Sequence, residues 1–178
     1  MRLFFNAAQL PATKKAFNDA EKLVLQHFRL DERDLRNIKY EVKTLAYLNK
    51  QEIKEGAFAH LCKYAYAKAE EAADHAENSF DFYRICLQDN TILDAVRRSN
   101  SFIKLSPLML YIAVHELIHV LRFSNGEIDF HAATEEKERE EVIVHHLTRS
   151  ALQPVKGHGM EIIFDCFNYD YENFDLCH

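Results

Sequence analysis

Residues 106–126 read SPLMLYIAVHELIHVLRFSNG, a stretch in which apolar residues dominate. It contains an HExxH pattern formed by His115, Glu116 and His119. Side chains four residues apart lie on one face of a helix, so the two imidazoles can bind the same metal ion. Glu116 lies about 100° further round the helix, where it can act on a water molecule instead of binding the metal.

Several signals predict that this stretch is a buried helix. Ser106 can cap the amino end, and Pro107 suits the first turn. Asn125-Gly126 offers a carboxyl-terminal stop. Almost every other residue between these ends is apolar, as in helices that are buried on all sides. Buried histidines and a buried carboxylate need partners, which either a metal ion or core hydrogen bonds can supply, and we favour the metal.

The composition limits the classes of function. The chain has 178 residues, enough for one domain with a sizeable core. Hydrophobic residues make up 48% of it and charged residues 28%, as in ordinary soluble proteins. The net charge is −6 and no basic cluster is present, which argues against nucleic acid as the main partner.

Cysteine usage and the amino terminus predict a cytoplasmic location. The four cysteines form no CxxC pair, and the first residues lack the apolar core of a secretory signal. A reducing compartment is therefore expected. The longest apolar run, residues 108–114, is too short to cross a bilayer, so no membrane partner is expected. The oligomeric state stays open.

Hydrophobic periodicity predicts an α+β fold that is mostly helical, with a small sheet packed against the HExxH helix and a second, ligand-bearing helix. The segment 91–98 fits either a helix or a hairpin arm, and 161–167 fits either a strand or a helical turn. Residues 157–159 are expected to form a loop. The remaining predicted elements are helices at 12–30, 49–77 and 132–152, and strands at 36–46, 80–87 and 101–105.

A catalytic zinc site normally has a third protein ligand, and the helix at 132–152 is its best source. The centre of the apolar face of that helix falls between Glu140 and Glu141. We favour Glu141 because His145 lies four residues later on the same face, where it can support the carboxylate or bind metal itself. The other candidates are Glu140, Asp129, His131 and His145.

An HExxH helix followed by a glutamate on a second helix resembles the gluzincin-type zinc metallopeptidases. The layout is also similar to the ImmA/IrrE-type metallopeptidases, in which that glutamate is followed by small and apolar residues and then a proline. By this resemblance, His115, His119 and Glu141 would hold zinc, and Glu116 would be the general base. The residues in register after Glu141 are Val144, Leu147, Thr148, Ala151, Leu152 and Pro154.

The resemblance covers residues 101–154 and implies one zincin-like domain over 1–178. Residues 1–100 would form a helix and strand part, 101–154 the metal-site core and 155–178 a carboxyl-terminal tail. The implied function is peptide-bond hydrolysis of a protein or peptide substrate. The alternatives are a metal-binding regulatory or interaction module without general proteolytic activity, and a regulatory protease with a single protein substrate. An intact Glu116 favours an enzyme, because pure metal binding does not need it.

The substrate and the transition state need further groups. In zincin-type folds an extended substrate lies along an edge strand, and residues 101–105 are the expected strand. The oxyanion of peptide hydrolysis needs a hydrogen-bond donor, for which Tyr111 and His158 are candidates. Each also has a plainer interpretation: Tyr111 as a core residue and His158 as a loop residue.

Overall fold

A computed structural model describes residues 2–67, 79–100 and 102–167 of the chain. The predicted α+β class is confirmed, with helices predominating over one small sheet. The helices are α1 (Gln9–Phe28), α2 (Glu32–Asn37), α3 (Asp89–Arg98), α4 (Leu105–Ser124), α5 (Thr134–Leu152) and α6 (His158–Cys166). The strands are β1 (Lys39–Lys43), β2 (Ala59–Ala67) and β3 (Ser79–Leu87), with a short 3-10 turn at Leu45–Tyr47.

The strands of the described residues form one sheet in the order β1-β3-β2. β1 runs parallel to β3, and β2 runs antiparallel to it, so β3 is the central strand. Alternate residues of β3 point to opposite faces. Tyr83, Ile85 and Leu87 are buried in the core together with residues of α4. The strand predicted at 80–87 is confirmed as β3. The strand predicted at 36–46 is confirmed over Lys39–Lys43 alone, since residues 36–37 end α2 and Leu45–Tyr47 forms the 3-10 turn.

The helix predicted over residues 49–77 is wrong. Its capping signal does form, since the Glu52 amide donates to the Asn49 side chain at 3.1 Å and the Asn49 amide to the Glu52 carboxylate at 2.9 Å. The bonds close only a turn, because Gly56 takes a φ of 81° and interrupts any helix. The chain then pairs with β3 as β2, and the rest of the predicted helix, residues 68–77, lies outside the described residues.

The strand predicted at 101–105 is also wrong. Residues 102–104 form a bend that links α3 to α4, and Ser101 itself lies outside the described residues. α4 begins at Leu105 with Lys104 as its N-cap residue, so Ser106 does not cap it. The predicted stop is confirmed, because Gly126 has a φ of 71° and the Glu127 amide donates to the Arg122 carbonyl at 3.0 Å.

The two open segments are both helical. The segment 91–98 belongs to α3, and 161–167 lies mostly in α6. α6 begins at His158, so the loop predicted at 157–159 is a helix start instead. Residues 168–178 of the predicted tail lie outside the described residues.

α4 is the central helix of the fold and is packed against α1, α5, α6 and the sheet. By length and composition it could cross a membrane, which the short run at 108–114 did not indicate. However, 61% of the relevant window is buried inside the fold, as expected for the core helix of a soluble protein. Its buried residues are Leu108, Met109, Tyr111, Ile112, Ala113, Val114, Leu117, Ile118, His119, Val120 and Leu121.

A buried carboxylate ties the turn before β2 to the sheet. Glu52 is only 1% exposed, accepts a hydrogen bond from the Tyr64 hydroxyl at 2.6 Å, and forms an ion pair with Arg84. Burial by itself would raise the pKa of this carboxyl. The hydrogen bonds from Tyr64 and the Asn49 amide, together with the Arg84 charge, outweigh burial and lower the pKa to about 2.

This network predicts a loss of stability in acid. A carboxyl whose pKa is lower in the folded state stabilises the fold above its unfolded-state pKa of 4.5. That stabilisation, about 3 kcal/mol, is lost as the pH falls from about 4.5 to 2. Urea unfolding of wild type and Glu52→Gln across this pH range measures it as the difference between the two curves. The exposed Glu32→Gln serves as the control, and an equal pH dependence in all three proteins would contradict the prediction.

Candidate metal centre

The candidate site lies between α4 and α5, which bring their polar side chains together along one seam. Residues later in α4 contact residues earlier in α5, so the two helices run in opposite directions. The seam interrupts an interface that is otherwise apolar. Its contacts, in order along α4, are Tyr111–His145, His115–Glu141, His119–Glu141 and Arg122–Glu140.

The sequence-predicted ligands converge at the middle of this seam. The Nε2 atoms of His115 and His119 are 3.1 Å apart. Each lies 3.3 Å from one oxygen of the Glu141 carboxylate. Two ligand atoms bound to zinc at about 2.0–2.1 Å in tetrahedral geometry are about 3.3 Å apart. The spacing of these three donors therefore fits a zinc ion.

The electrostatics of the site keep the Glu141 carboxylate charged. Burial would raise the pKa of the Glu141 carboxyl, but hydrogen bonds from His115 and His119 lower it far below its usual range. The carboxylate is thus ionised, as a ligand must be. The side chains of His115 and His119 are only 12% and 8% exposed, whereas that of Glu141 is 50% exposed. The site is consequently deep on the α4 side and open on the α5 side.

Glu140, the alternative third ligand, has a different role. Arg122 Nε lies 2.6 Å from one of its oxygens, and Nη2 lies 3.0 Å from the other. The two side chains are 12% and 4% exposed, so this is a buried, bidentate ion pair that joins α4 to α5. Sequence reasoning missed Arg122, although an arginine three residues after His119 in an apolar helix was a usable signal.

His145 gives a second, overlapping set of potential ligands. Its potential ligand atom and those of His115 and Glu141 all lie within 4.8 Å of one another. This set is looser than the 3.1–3.3 Å spacing of His115, His119 and Glu141, so we take the latter as the ligand set. His145 Nδ1 lies 2.7 Å from the Tyr111 hydroxyl. Burial lowers the pKa of His145 to about 3, which leaves its imidazole neutral.

Glu116 lies beside the ligand pair on α4 and is partly exposed. Burial raises the pKa of its carboxyl, and the charges of His115 and His119 act in the opposite direction. The charge of Lys54, in the segment before β2, also lowers this pKa. Lys54 therefore lies near enough to Glu116 for its charge to act there, a relation that sequence spacing did not reveal.

Packing holds the two histidine rings in place. The Tyr111 ring is stacked on the His115 ring with 6.4 Å between the ring centroids. The Phe123 ring is stacked on the His119 ring with 5.9 Å between the centroids. Within residues 2–67, 79–100 and 102–167, the buried Nδ1 atoms of both histidines have no hydrogen-bond partner. Zinc-binding histidines usually donate this second N–H to a neighbour, so here the rings depend more on aromatic contacts.

The remaining candidates are exposed, and their contacts among the described residues are with groups outside this cluster. His158 is exposed and faces Glu161 at the start of α6. The neighbouring Gly159 packs near Pro107, which is about 12 Å along the α4 axis from His115. Asp129 and His131 are exposed in the loop before α5, where Asp129 accepts a hydrogen bond from the His131 amide at 2.7 Å.

Comparison with family models, curated proteins and solved structures finds no match for this chain. The resemblance to zinc metallopeptidases therefore depends on the HExxH pattern and its partner glutamate. The evidence for a function is the arrangement of His115, Glu116, His119 and Glu141.

Proposed function

We propose that this protein is a zinc-dependent peptidase that hydrolyses peptide bonds in a protein or peptide substrate. The observation that carries the proposal is the spacing of 3.1–3.3 Å among the Nε2 atoms of His115 and His119 and the carboxylate of Glu141. A general base, Glu116, is next to the first of these ligands in the chain. Three protein ligands leave a position for water or substrate, which is typical of catalytic zinc.

Each residue has a separate task in this proposal. His115, His119 and Glu141 hold the zinc ion, which when bound supplies Lewis acidity and lowers the pKa of water. Glu116 accepts the proton of the attacking water and then delivers it to the leaving amine of the substrate. Because Glu116 is only partly exposed, little bulk water competes for that proton.

The edge of the sheet offers a place for an extended substrate. β2 pairs with β3 on one side only, among the described residues, so its other side can pair with a peptide. The segment leading into β2 contains Lys54, whose charge acts on Glu116. In this proposal β2 takes the substrate-binding role that the sequence assigned to residues 101–105.

A cytoplasmic location remains part of the proposal. Cys62, Cys86 and Cys166 are free thiols, and the Cys62 and Cys86 sulfurs lie 4.0 Å apart without a bond. Free thiols at this distance suit a reducing compartment. The acidic net charge of −6 also supports a partner other than nucleic acid.

The alternative is a metal-binding regulatory or interaction module. His145 favours it, because its ligand atom lies within 4.8 Å of those of His115 and Glu141. A fourth protein ligand would close the site, as in structural zinc centres. We prefer the peptidase because the three closest donors form a complete catalytic set without His145.

Metal removal tests the proposed function. Protein purified without added metal is expected to carry stoichiometric zinc in elemental analysis. It should cleave denatured casein or a mixture of peptides, lose this activity on dialysis against a chelator, and regain it with zinc. The absence of bound zinc would contradict the metal centre. Bound zinc without cleavage of any peptide in the mixture would exclude a general peptidase and leave the regulatory module and the protease with a single protein substrate.

A further inference from the structure

Tyr111 and His145 form a buried pair beside the candidate ligands. Tyr111 is 1% exposed and His145 is 8% exposed. The Tyr111 hydroxyl lies 2.7 Å from His145 Nδ1, which is a hydrogen-bond distance. His145 lies one helical turn after Glu141, so both side chains project from the same face of α5. The pair therefore joins the core of α4 to the face of α5 that carries the third ligand.

The distances place His145 near the donors but outside their tight cluster. Its potential ligand atom lies within 4.8 Å of those of Glu141 and His115, whereas the contacts of Glu141 to the two histidines are 3.3 Å. Because Nδ1 is engaged by Tyr111, Nε2 is the nitrogen through which His145 can act on Glu141. A distance of up to 4.8 Å is longer than a hydrogen bond, so the bond to the carboxylate would form when the half-exposed Glu141 side chain turns toward His145.

Glu141 has a particular need for such support. Its side chain is 50% exposed and belongs to a flexible residue type, so holding it in one rotamer costs conformational entropy. His145 is rigid by comparison, because Tyr111 fixes its ring and because Tyr111 is itself stacked on Phe167 at 4.3 Å. A rigid donor beside a half-exposed carboxylate pre-organises it for metal.

We propose that Tyr111 and His145 are positioning residues that form a hydrogen-bond relay to the third ligand. The Tyr111 hydroxyl donates to His145 Nδ1, the ring proton therefore resides on Nε2, and Nε2–H donates to the Glu141 carboxylate. The relay orients Glu141 and raises the affinity of the site for zinc. This inference rests on the proposed metal centre and does not depend on which substrate is cleaved.

Zinc affinity, measured by competition with a chelating dye, tests the relay. Tyr111→Phe and His145→Phe should each weaken zinc binding by about 10–100-fold, the usual effect of losing such support. The double variant should be about as weak as the weaker single variant, because both changes break one relay. Thr148→Val, a buried change on the same helix, should leave the affinity unchanged.

Two substitutions of His145 by amide side chains distinguish the relay from a merely structural role. The amide nitrogen of His145→Gln can occupy the position of Nε2 and donate to Glu141, so it should keep most of the affinity. The amide of His145→Asn reaches only to the position of Nδ1, so it should be as weak as His145→Phe. Thermal unfolding of the apo forms shows whether any variant is simply less stable.

The outcomes are distinguishable. If wild type binds no zinc, the proposed function fails and the relay fails with it. If wild type binds zinc and His145→Gln is as weak as His145→Asn at equal stability, the relay alone is wrong. X-ray absorption of the zinc-loaded forms identifies the remaining case. Loss of a coordinated nitrogen in His145→Phe would make His145 a ligand and overturn the positioning role.

Discussion

Glu141→Ala is expected to weaken zinc binding by at least about 100-fold, because it removes one of the three protein ligands of a site of a kind worth about 10–16 kcal/mol. The carboxylate of Glu141 lies 3.3 Å from both imidazoles, so its removal takes away the only anionic donor of the set. The fold should persist, since the side chain is 50% exposed. Calorimetric titration with zinc measures the affinity, and urea unfolding of the apo protein measures the stability.

The neighbouring glutamate provides the matched comparison. Glu140→Ala should lower the free energy of unfolding by about 1.5–3 kcal/mol, because it removes two charge-assisted hydrogen bonds and leaves the largely buried guanidinium of Arg122 with Glu127 alone. It removes no zinc ligand, so the folded fraction should bind zinc far more tightly than Glu141→Ala does. Glu138→Ala, an exposed change on the same helix, should alter neither property. A loss of zinc affinity in Glu140→Ala equal to that in Glu141→Ala would show that the two carboxylates had been assigned wrongly.

The choice between these glutamates shows how far helical periodicity reaches. The face of α5 was predictable, because apolar residues recur with the period of a helix. Consecutive residues are about 100° apart around a helix, and the predicted centre of the apolar face fell between Glu140 and Glu141. Periodicity therefore could not choose between these two residues. What separates them is the partner on α4: Arg122 takes Glu140, and the histidine pair takes Glu141. Which α4 side chain contacts each glutamate depends on how the two helices are aligned. That alignment cannot be deduced from the sequence of either helix alone.

The fold was predictable where local pattern and tertiary packing agree. The buried HExxH helix, with Gly126 after its end, is specified by its own residues. The segment 49–77 failed because its alanines and its Asn49 turn favour a helix locally, while pairing with β3 makes residues 59–67 a strand. Pairing between distant segments overrides a helix propensity of a few tenths of a kcal/mol per residue. The φ of 81° at Gly56 marks the break.

The Tyr111–His145 contact is another feature set by tertiary packing between distant segments. The sequence favoured Tyr111 as a core residue, and it is buried, but its hydroxyl lies at His145 Nδ1. Residues 34 positions apart meet here because α4 and α5 run in opposite directions. A tyrosine four residues before the first histidine, together with a histidine four after the ligand, is a pattern that can be sought in other chains.

Glu116→Gln is expected to keep zinc and to lower the rate of peptide hydrolysis by about 10²–10⁴-fold, the usual contribution of a general base. Glutamine has nearly the same size and shape, so the packing around residue 116 should survive the change. Its amide cannot accept the proton of the attacking water at neutral pH. Because His115, His119 and Glu141 lie within 3.1–3.3 Å of each other without Glu116, metal affinity should remain close to that of wild type.

The measurement compares zinc content and cleavage rate in one preparation of each protein. Mass spectrometry of the products from a peptide mixture gives the rate for whichever peptides the protein cleaves. Glu138→Gln, purified in the same way, should cleave as wild type does, whereas a contaminating peptidase would be equally active in all three preparations. Undiminished cleavage by Glu116→Gln would exclude it as the base. If Glu116→Gln lost its zinc, Glu116 would instead be needed to hold the metal. A general base outside the ligand set can be replaced without loss of zinc, so zinc content and cleavage rate together decide between the two roles.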